Sequence, residues 1–307
     1  MQLNAETKDY FFIYIFQKNK NMKDPLFRKS HPFTKIIFLS FIGIVSISIL
    51  FIFTLFLSKD DIGSLKILTA IQHILLFITP PFIAAYLYSS NTKTYLFLNK
   101  PKTIFIGFTI LIIVFAIPII NYTGVINANL KLPESFSGLE KIMKEMEASA
   151  KVLTEKILKV NSFGGLLMNL FIIALLPAIG EELIFRGILL RLFKEWFKNM
   201  HVAIIVSAFT FSFIHFQFYG FIPRMLLGIV FGYLLYWSGS ILMPMLAHFI
   251  NNAFAVIAFY YMTDTAILEK TESFGAESST YIYLLISSVL FIFVFYLFKK
   301  ERVKNFI

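Results

Sequence analysis

The chain contains no cysteine in its 307 residues. That excludes a disulfide framework, a CxxC redox centre, thiolate metal ligands and a cysteine nucleophile. Charge is scarce too. Charged residues make up 15% of the chain, against about 25% in an average soluble domain. Hydrophobic residues make up 58%, against about 45–50%. They fall in long blocks, which argues for one integral membrane domain rather than the two soluble domains the length would allow. The net charge is +10. No basic patch interleaved with aromatics accompanies it, so it reads as cytoplasmic loops beside anionic lipid, with no role in binding nucleic acid.

A membrane-crossing helix needs about 20 apolar residues. The qualifying stretches are Lys35–Ser58, Ile67–Tyr88, Thr103–Asn121, Phe163–Phe193, Val202–Tyr219, Ile222–Trp237, Ile241–Met262 and Tyr281–Phe298. The first is too long, and too lacking in a small-residue cleavage site, for a removable signal peptide. Loop charges set the orientation. Lys8, Lys18, Lys20, Lys23, Arg28, Lys29 and Lys35 place the N-terminal tail inside. The balanced set Lys59, Asp60, Asp61 and Lys66 lies outside, and Lys93, Lys100 and Lys102 return the chain inside. Arg191, Lys194 and Lys198 mark another cytoplasmic turn. Asp264, Glu269, Glu272 and Glu277 mark an outer loop, and Lys299, Lys300, Arg302 and Lys304 an inner tail. The expected fold is all-α, a polytopic membrane helical bundle of about eight transmembrane helices with both termini cytoplasmic.

The expected organisation is a basic cytoplasmic tail (1–34), three spans (35–121), an extracytoplasmic amphipathic loop (122–162), a core (163–262), and a last span with a basic tail (263–307). The aromatic run Tyr10–Phe16 is expected at the cytoplasmic interface. In the loop, Ser137 and Glu140 have capping-box spacing. Leu139, Ile142, Met143, Met146, Leu153, Ile157 and Leu158 then fall near one helical face. A helix lying on the membrane surface is the favoured reading, and a lid over a substrate entrance the sharper one. No internal repeat or low-complexity linker is visible.

Polar residues inside spans are costly and therefore candidates for function. Glu181, Glu182 and Arg186 lie in the fourth span. Glu182 and Arg186 are spaced i,i+4 in the orientation that favours an ion pair, which leaves Glu181 free to act as a general base. A structural ion-pair cluster is the plainer alternative. Phe211 and His215 share a face of the fifth span, and His248 and Asn252 a face of the seventh, with Asn251 nearby. Taken singly, each is as readily explained as polar glue between helices. Taken together they converge: at ~1.5 Å per residue from their shared turn, Glu181 and His215 lie within roughly 10 Å in height. Such a set suits hydrolysis of an amide or ester. Glu181 and His215 would hold and deprotonate a water, and His248 and Asn252 would donate to the oxyanion. A zinc centre with Glu181, His215 and His248 as ligands is the competing arrangement, and the residues alone leave both open. There is no HExxH helix and no GxSxG elbow.

These residues resemble the motifs of the CAAX-protease and bacteriocin-processing family of intramembrane peptidases, the type II CAAX endopeptidases. Its EExxxR motif is similar to Glu181, Glu182 and Arg186, its FxxxH motif to Phe211 and His215, and its HxxxN motif to His248 and Asn252. The run Gly239–His248 resembles the usual lead-in to the last motif. Gly228 and Gly232, in the preceding helix, read as close helix packing. The resemblance covers about Gly164 to Tyr261. It implies an eight-helix membrane fold and a glutamate-dependent peptidase site, so 163–262 reads as a CAAX-protease-like catalytic core. Members are often called metalloproteases, and a divalent metal such as zinc stays open as a cofactor. The expected activity is endopeptidase hydrolysis of a membrane-associated or lipidated peptide or protein. Glu181 would be the base, His215 would orient the water, and His248 with Asn252 would form the oxyanion site. Glu182 and Arg186 would support them. A non-catalytic bacteriocin-immunity or scaffold protein is the alternative. A transporter is disfavoured by the lack of inverted repeats and paired broken helices. The expected partners are the bilayer and the peptide or lipidated substrate; nothing in the sequence speaks to oligomeric state. Richness in Phe, Ile and Lys points to an AT-rich genome and a bacterial cell membrane, where the sequon Asn121-Tyr122-Thr123 means nothing.

Overall fold

The computed structural model describes residues 24–57, 61–262, 267, 270–271 and 273–303. The aromatic run Tyr10–Phe16 and the loop charges Lys8, Lys18, Lys20, Lys23, Lys59, Asp60, Asp264, Glu269, Glu272 and Lys304 lie outside them. The described residues contain helices and no strand. In chain order the longer ones are α1 (Pro32–Phe56), α2 (Ile62–Tyr88), α3 (Ile104–Ala128), α4 (Ser137–Leu158), α5 (Phe163–Phe197), α6 (Met200–Phe213), α7 (Phe221–Ser238), α8 (Leu242–Tyr261) and α9 (Tyr281–Lys300). Among the described residues, 7 helices are long and apolar enough to cross a membrane: α1, α2, α3, α5, α7, α8 and α9. Large apolar side chains such as Phe41, Phe51, Leu285 and Phe293 point outward from α1 and α9, as a lipid-facing surface requires.

α6 departs from expectation. It has 14 residues, short of the about 20 that a bilayer core asks for. The expected span Val202–Tyr219 is broken after Phe213, because Phe216 takes a φ of 52° and the left-handed backbone ends the ladder. A 3-10 turn at Phe218–Gly220 then leads into α7. His215 therefore sits on a turn just past the helix rather than within it.

α5 is the structural axis. It is 35 residues long, and π-helical segments at Leu170–Leu175 and Leu183–Leu189 interrupt it. Pro177 has no N–H, so the carbonyl of Ile173 lacks its usual partner four residues on. Asn252 Nδ2 donates to that oxygen at 3.3 Å. The same logic shapes α2, where a π segment at Ile74–Ile78 precedes Pro80 and Pro81. π turns rotate the side chains beyond them and recur at functional sites. Here they flank Glu181, Glu182 and His73.

α6 and α7 pack with their backbones close. A Cβ added at Gly232 would lie 2.8 Å from Ile204 Cγ2, and one at Gly228 would lie 2.9 Å from Ala208 Cβ. The two glycines thus serve the close helix approach expected of them. α9 packs along α3 over Phe105, Trp237 and Phe298, and Lys35 Nζ pairs with Glu195 at 3.1 Å to tie α1 to α5.

The amphipathic segment folds as α4, but without a capping box. The turn Glu134–Phe136 runs straight into the helix, so Ser137 is already helical (φ −55°, ψ −36°) and cannot cap it. Glu140 instead accepts from Leu132 N at 3.2 Å and pairs with Lys144 at 2.7 Å. That Lys144 hydrogen bond holds the Glu140 carboxyl below its ordinary range. Ile157 and Leu158 are buried, and α4 packs on α2, α8 and the Phe218–Gly220 turn. It lies across one end of the bundle.

Gly232→Val is expected to lower stability in detergent by about 1–3 kcal/mol through overpacking against Ile204. Gly107→Ala, with nothing within 4 Å of the added Cβ, should leave the thermal midpoint nearly unchanged. Unfolding of both variants checks this.

Candidate active site

The site is built on α5 at Gly180-Glu181-Glu182. A Cβ on Gly180 would meet Phe77 Cβ at 2.7 Å. Glycine therefore lets α2 lie directly against α5 where the carboxylates begin. Glu182 and Arg186 have no solvent exposure, and Glu181 is buried. Two charges in an apolar bundle are tolerable only if paired and hydrogen-bonded. Arg186 Nη1 lies 2.9 Å from Glu182 Oε1, and Nη2 donates to Gly228 O at 3.0 Å. Its guanidinium lies 4.7 Å from the centre of the Phe211 ring and 5.3 Å from that of Phe231, within cation–π range. The phenylalanine of the FxxxH pair thus covers the buried arginine.

His248 Nδ1 lies 2.9 Å from the same Glu182 Oε1, and its ring stacks on Phe231 with centroids 5.3 Å apart. Its Nε2 points at Glu181 Oε2, 3.8 Å away. His215 Nδ1 lies 2.7 Å from Phe211 O, and its Nε2 faces Glu181 Oε2 at 4.0 Å. The two histidines approach one carboxylate oxygen from different elements, His248 from α8 and His215 from the turn after α6. The expected residues Glu181, Glu182, Arg186, His215 and His248 are therefore in one cluster.

Asn252 directs its hydrogen bonds elsewhere. Besides donating to Ile173 O, it accepts from Asn251 Nδ2 at 3.2 Å. In compensation, the cluster contains a residue that the sequence motifs do not include. His73, on α2, has its Nε2 3.9 Å from Glu181 Oε1 and its Nδ1 2.8 Å from Thr69 O. Three of the five histidines in the chain thus face Glu181. The available signal was of the same kind as for the other two, a solitary histidine in an apolar span.

Each imidazole has Nδ1 against an oxygen that can only accept: two backbone carbonyls and an Arg-paired carboxylate. Nδ1 therefore carries the hydrogen in each neutral ring, and each Nε2 is an acceptor turned toward Glu181. Acceptors 3.8–4.0 Å apart do not bond to one another. They suit a donor held between them, and two ~2.8 Å hydrogen bonds from one water span a little over 4 Å.

A zinc ion fits less well. With bonds of about 2.0–2.1 Å, tetrahedral ligand atoms lie roughly 3.4 Å apart, closer than the 3.8–4.0 Å seen between Glu181 and the histidine nitrogens. Among the described residues no group of three or more His, Cys, Asp or Glu side chains could hold a metal ion. The expected set Glu181, His215 and His248 is spaced more widely here than the ligands of a tetrahedral zinc.

A cavity of about 670 Å³ lies between α3, α4 and α8, within the about 300–1,000 Å³ usual for ligand pockets. Its lining includes Asn251, next to Asn252 in sequence, Gln217, two residues after His215, and Glu147, Lys151 and Glu155 from α4. Arg224 Nη2 donates to Gln217 Oε1 at 2.8 Å. α4 thus walls this cavity as well as resting on the bundle.

Glu182→Gln and Arg186→Met should each cost about 3–5 kcal/mol, because each strands a buried charge. The double variant should recover much of that loss. A double-mutant cycle on thermal unfolding tests the coupling.

No curated protein and no solved structure matches the chain. Residues 163–254, the segment that carries every motif residue from Glu181 to Asn252, match the family model for Rce1-like type II CAAX prenyl endopeptidases.

Proposed function

We propose that this multi-pass membrane protein is an intramembrane endopeptidase in which Glu181 and His215 activate a water to hydrolyse a peptide bond of a membrane-associated or lipidated peptide or protein. The observation that carries the reading is the convergence of two imidazole Nε2 acceptors on Glu181 Oε2, at 3.8 and 4.0 Å. The donor that such a set admits is a water. It gives one hydrogen to Glu181 and the other to His215. As its oxygen adds to the scissile carbonyl carbon, its proton passes to Glu181 and the carbonyl oxygen becomes an oxyanion. Collapse of the tetrahedral intermediate breaks the C–N bond, and Glu181 returns the proton to the leaving amine.

The oxyanion needs donors. Asn252 Nδ2 has a second hydrogen besides the one given to Ile173 O, and this supplies one. The Nδ1–H of His248 is committed to Glu182, which fixes the ring beside the site. Glu182 and Arg186 act by holding that ring. With α6 as a short eighth crossing, the loop charges support cytoplasmic termini in a bacterial cell membrane, and the first outer loop and α4 then share the extracytoplasmic side. Substrate would enter from that side, through the cavity beneath α4. This extends the sequence expectation: α4 serves as a wall of the entrance. The domain limits expected from sequence are retained, with 163–262 as the catalytic core.

Cleavage of prenylated and bacteriocin-precursor peptides by purified protein is the test. Glu181→Gln should lower kcat by about 10²–10⁴-fold, the usual worth of a general base, with the fold intact. Chelator should leave the wild-type rate unchanged. Loss of cleavage with chelator and its return with zinc would mean that the site closes onto an ion. Equal cleavage by Glu181→Gln would remove Glu181 as the base. Cleavage of nothing, with an immunity phenotype that survives Glu181→Gln, would replace the enzyme with a binding protein.

A further inference from the structure

We propose that His73 of α2 is a positioning residue for Glu181, and that it fixes the carboxylate by sharing a water with Oε1 so that Oε2 is presented to His215 and His248. The proposal rests on the peptidase reading of Glu181 but lies outside the segment 163–254 that carries the family match.

A carboxylate on a flexible side chain has two equivalent oxygens, and its terminal torsion is broad. General-base catalysis needs one oxygen to stay aimed at the water. Oε2 faces two histidines. Unless Oε1 is also held, nothing stops the group from turning. His73 faces Oε1 alone, at 3.9 Å. Its Nδ1 is 2.8 Å from the Thr69 carbonyl, which locks the tautomer and leaves Nε2 as an acceptor. Nε2 and Oε1 are thus two acceptors at a separation one water can bridge.

The surroundings keep His73 in place. Its side chain is buried, and its ring centroid lies 5.7 Å from that of Phe77. Phe77, together with Ile78, contacts α5 at Gly180, where an added Cβ would lie 2.7 Å from Phe77 Cβ. The close approach of α2 to α5 and the aim of His73 are therefore one feature. A histidine that merely satisfied its own helix would need no such approach, since Thr69 already meets Nδ1.

Two arms test this. In the first, kcat and KM are measured for wild type, Glu181→Gln, His73→Ala and His73→Gln in lipid nanodiscs, with thermal midpoints. His73→Ala should lower kcat by about 10- to 100-fold, with KM within about twofold and the midpoint nearly unchanged. His73→Gln, whose amide reaches the Nε2 position, should recover most of kcat. If wild type cleaves and Glu181→Gln does not, while His73→Ala matches wild type, the positioning role is overturned and the peptidase reading stands. A kcat loss that tracks a lowered midpoint and is not rescued by Gln also overturns it. In the second arm, ¹⁵N NMR of imidazole-labelled protein reads His73 directly, with or without activity. The proposal requires the Nδ1–H tautomer and a change in the Nε2 shift on Glu181→Ala. An Nε2 shift indifferent to Glu181 overturns it even if no substrate is found.

Discussion

The half of this bundle that holds the candidate site is organised by one buried contact, the ion pair of Glu182 and Arg186. An arginine with no exposure, in a helix that must sit among apolar neighbours, demands a partner for its charge and acceptors for its N–H groups. Glu182 supplies the charge, the Gly228 carbonyl an acceptor, and Phe211 and Phe231 the two faces. Each requirement recruits a different helix. Gly228 lacks a side chain, so α7 approaches closely enough to offer its backbone. Phe211 brings α6. His248 takes the remaining reach of the same Glu182 oxygen and brings α8. The cluster next to Glu181 is thus assembled as a consequence of satisfying Arg186.

This arrangement gives the two adjacent glutamates different work. Glu182 is spent on Arg186 and His248. Glu181, one residue back and rotated about 100° round the helix, meets imidazoles rather than guanidinium. Its neighbours are acceptors in their neutral form, so the group is surrounded by atoms that want a donor. A hydrolytic water fits that demand, and the match of residues 163–254 to a peptidase family model agrees with it.

The motif residues were legible because each rule they obey is local. An i,i+4 carboxylate–arginine pair and histidines in apolar spans stand out against a chain with 15% charge. The helical class, and most of the spans, follow from hydropathy alone. What was not legible depends on contacts distant in sequence or on backbone conformation. His73 carries no motif, and only the fit of Phe77 on Gly180 aims it at Glu181. The end of α6 depends on a left-handed Phe216, a conformation that residue type does not announce. The failed capping box at Ser137 reflects a 3-10 turn that fed directly into the helix. Asn252 was rightly placed on the His248 helix, but the carbonyl freed by Pro177 draws its side chain to Ile173.

The central claim is that Glu181 is ringed by acceptors and holds water. A cryo-EM map of the protein in nanodiscs, at a resolution that resolves ordered solvent, tests it most directly. The account predicts a water-sized peak within about 2.6–3.2 Å of both Glu181 Oε2 and His215 Nε2, and a second one bridging Oε1 and His73. A strong peak at about 2.0–2.1 Å from several Nε2 atoms, or histidines turned away from Glu181, would contradict it.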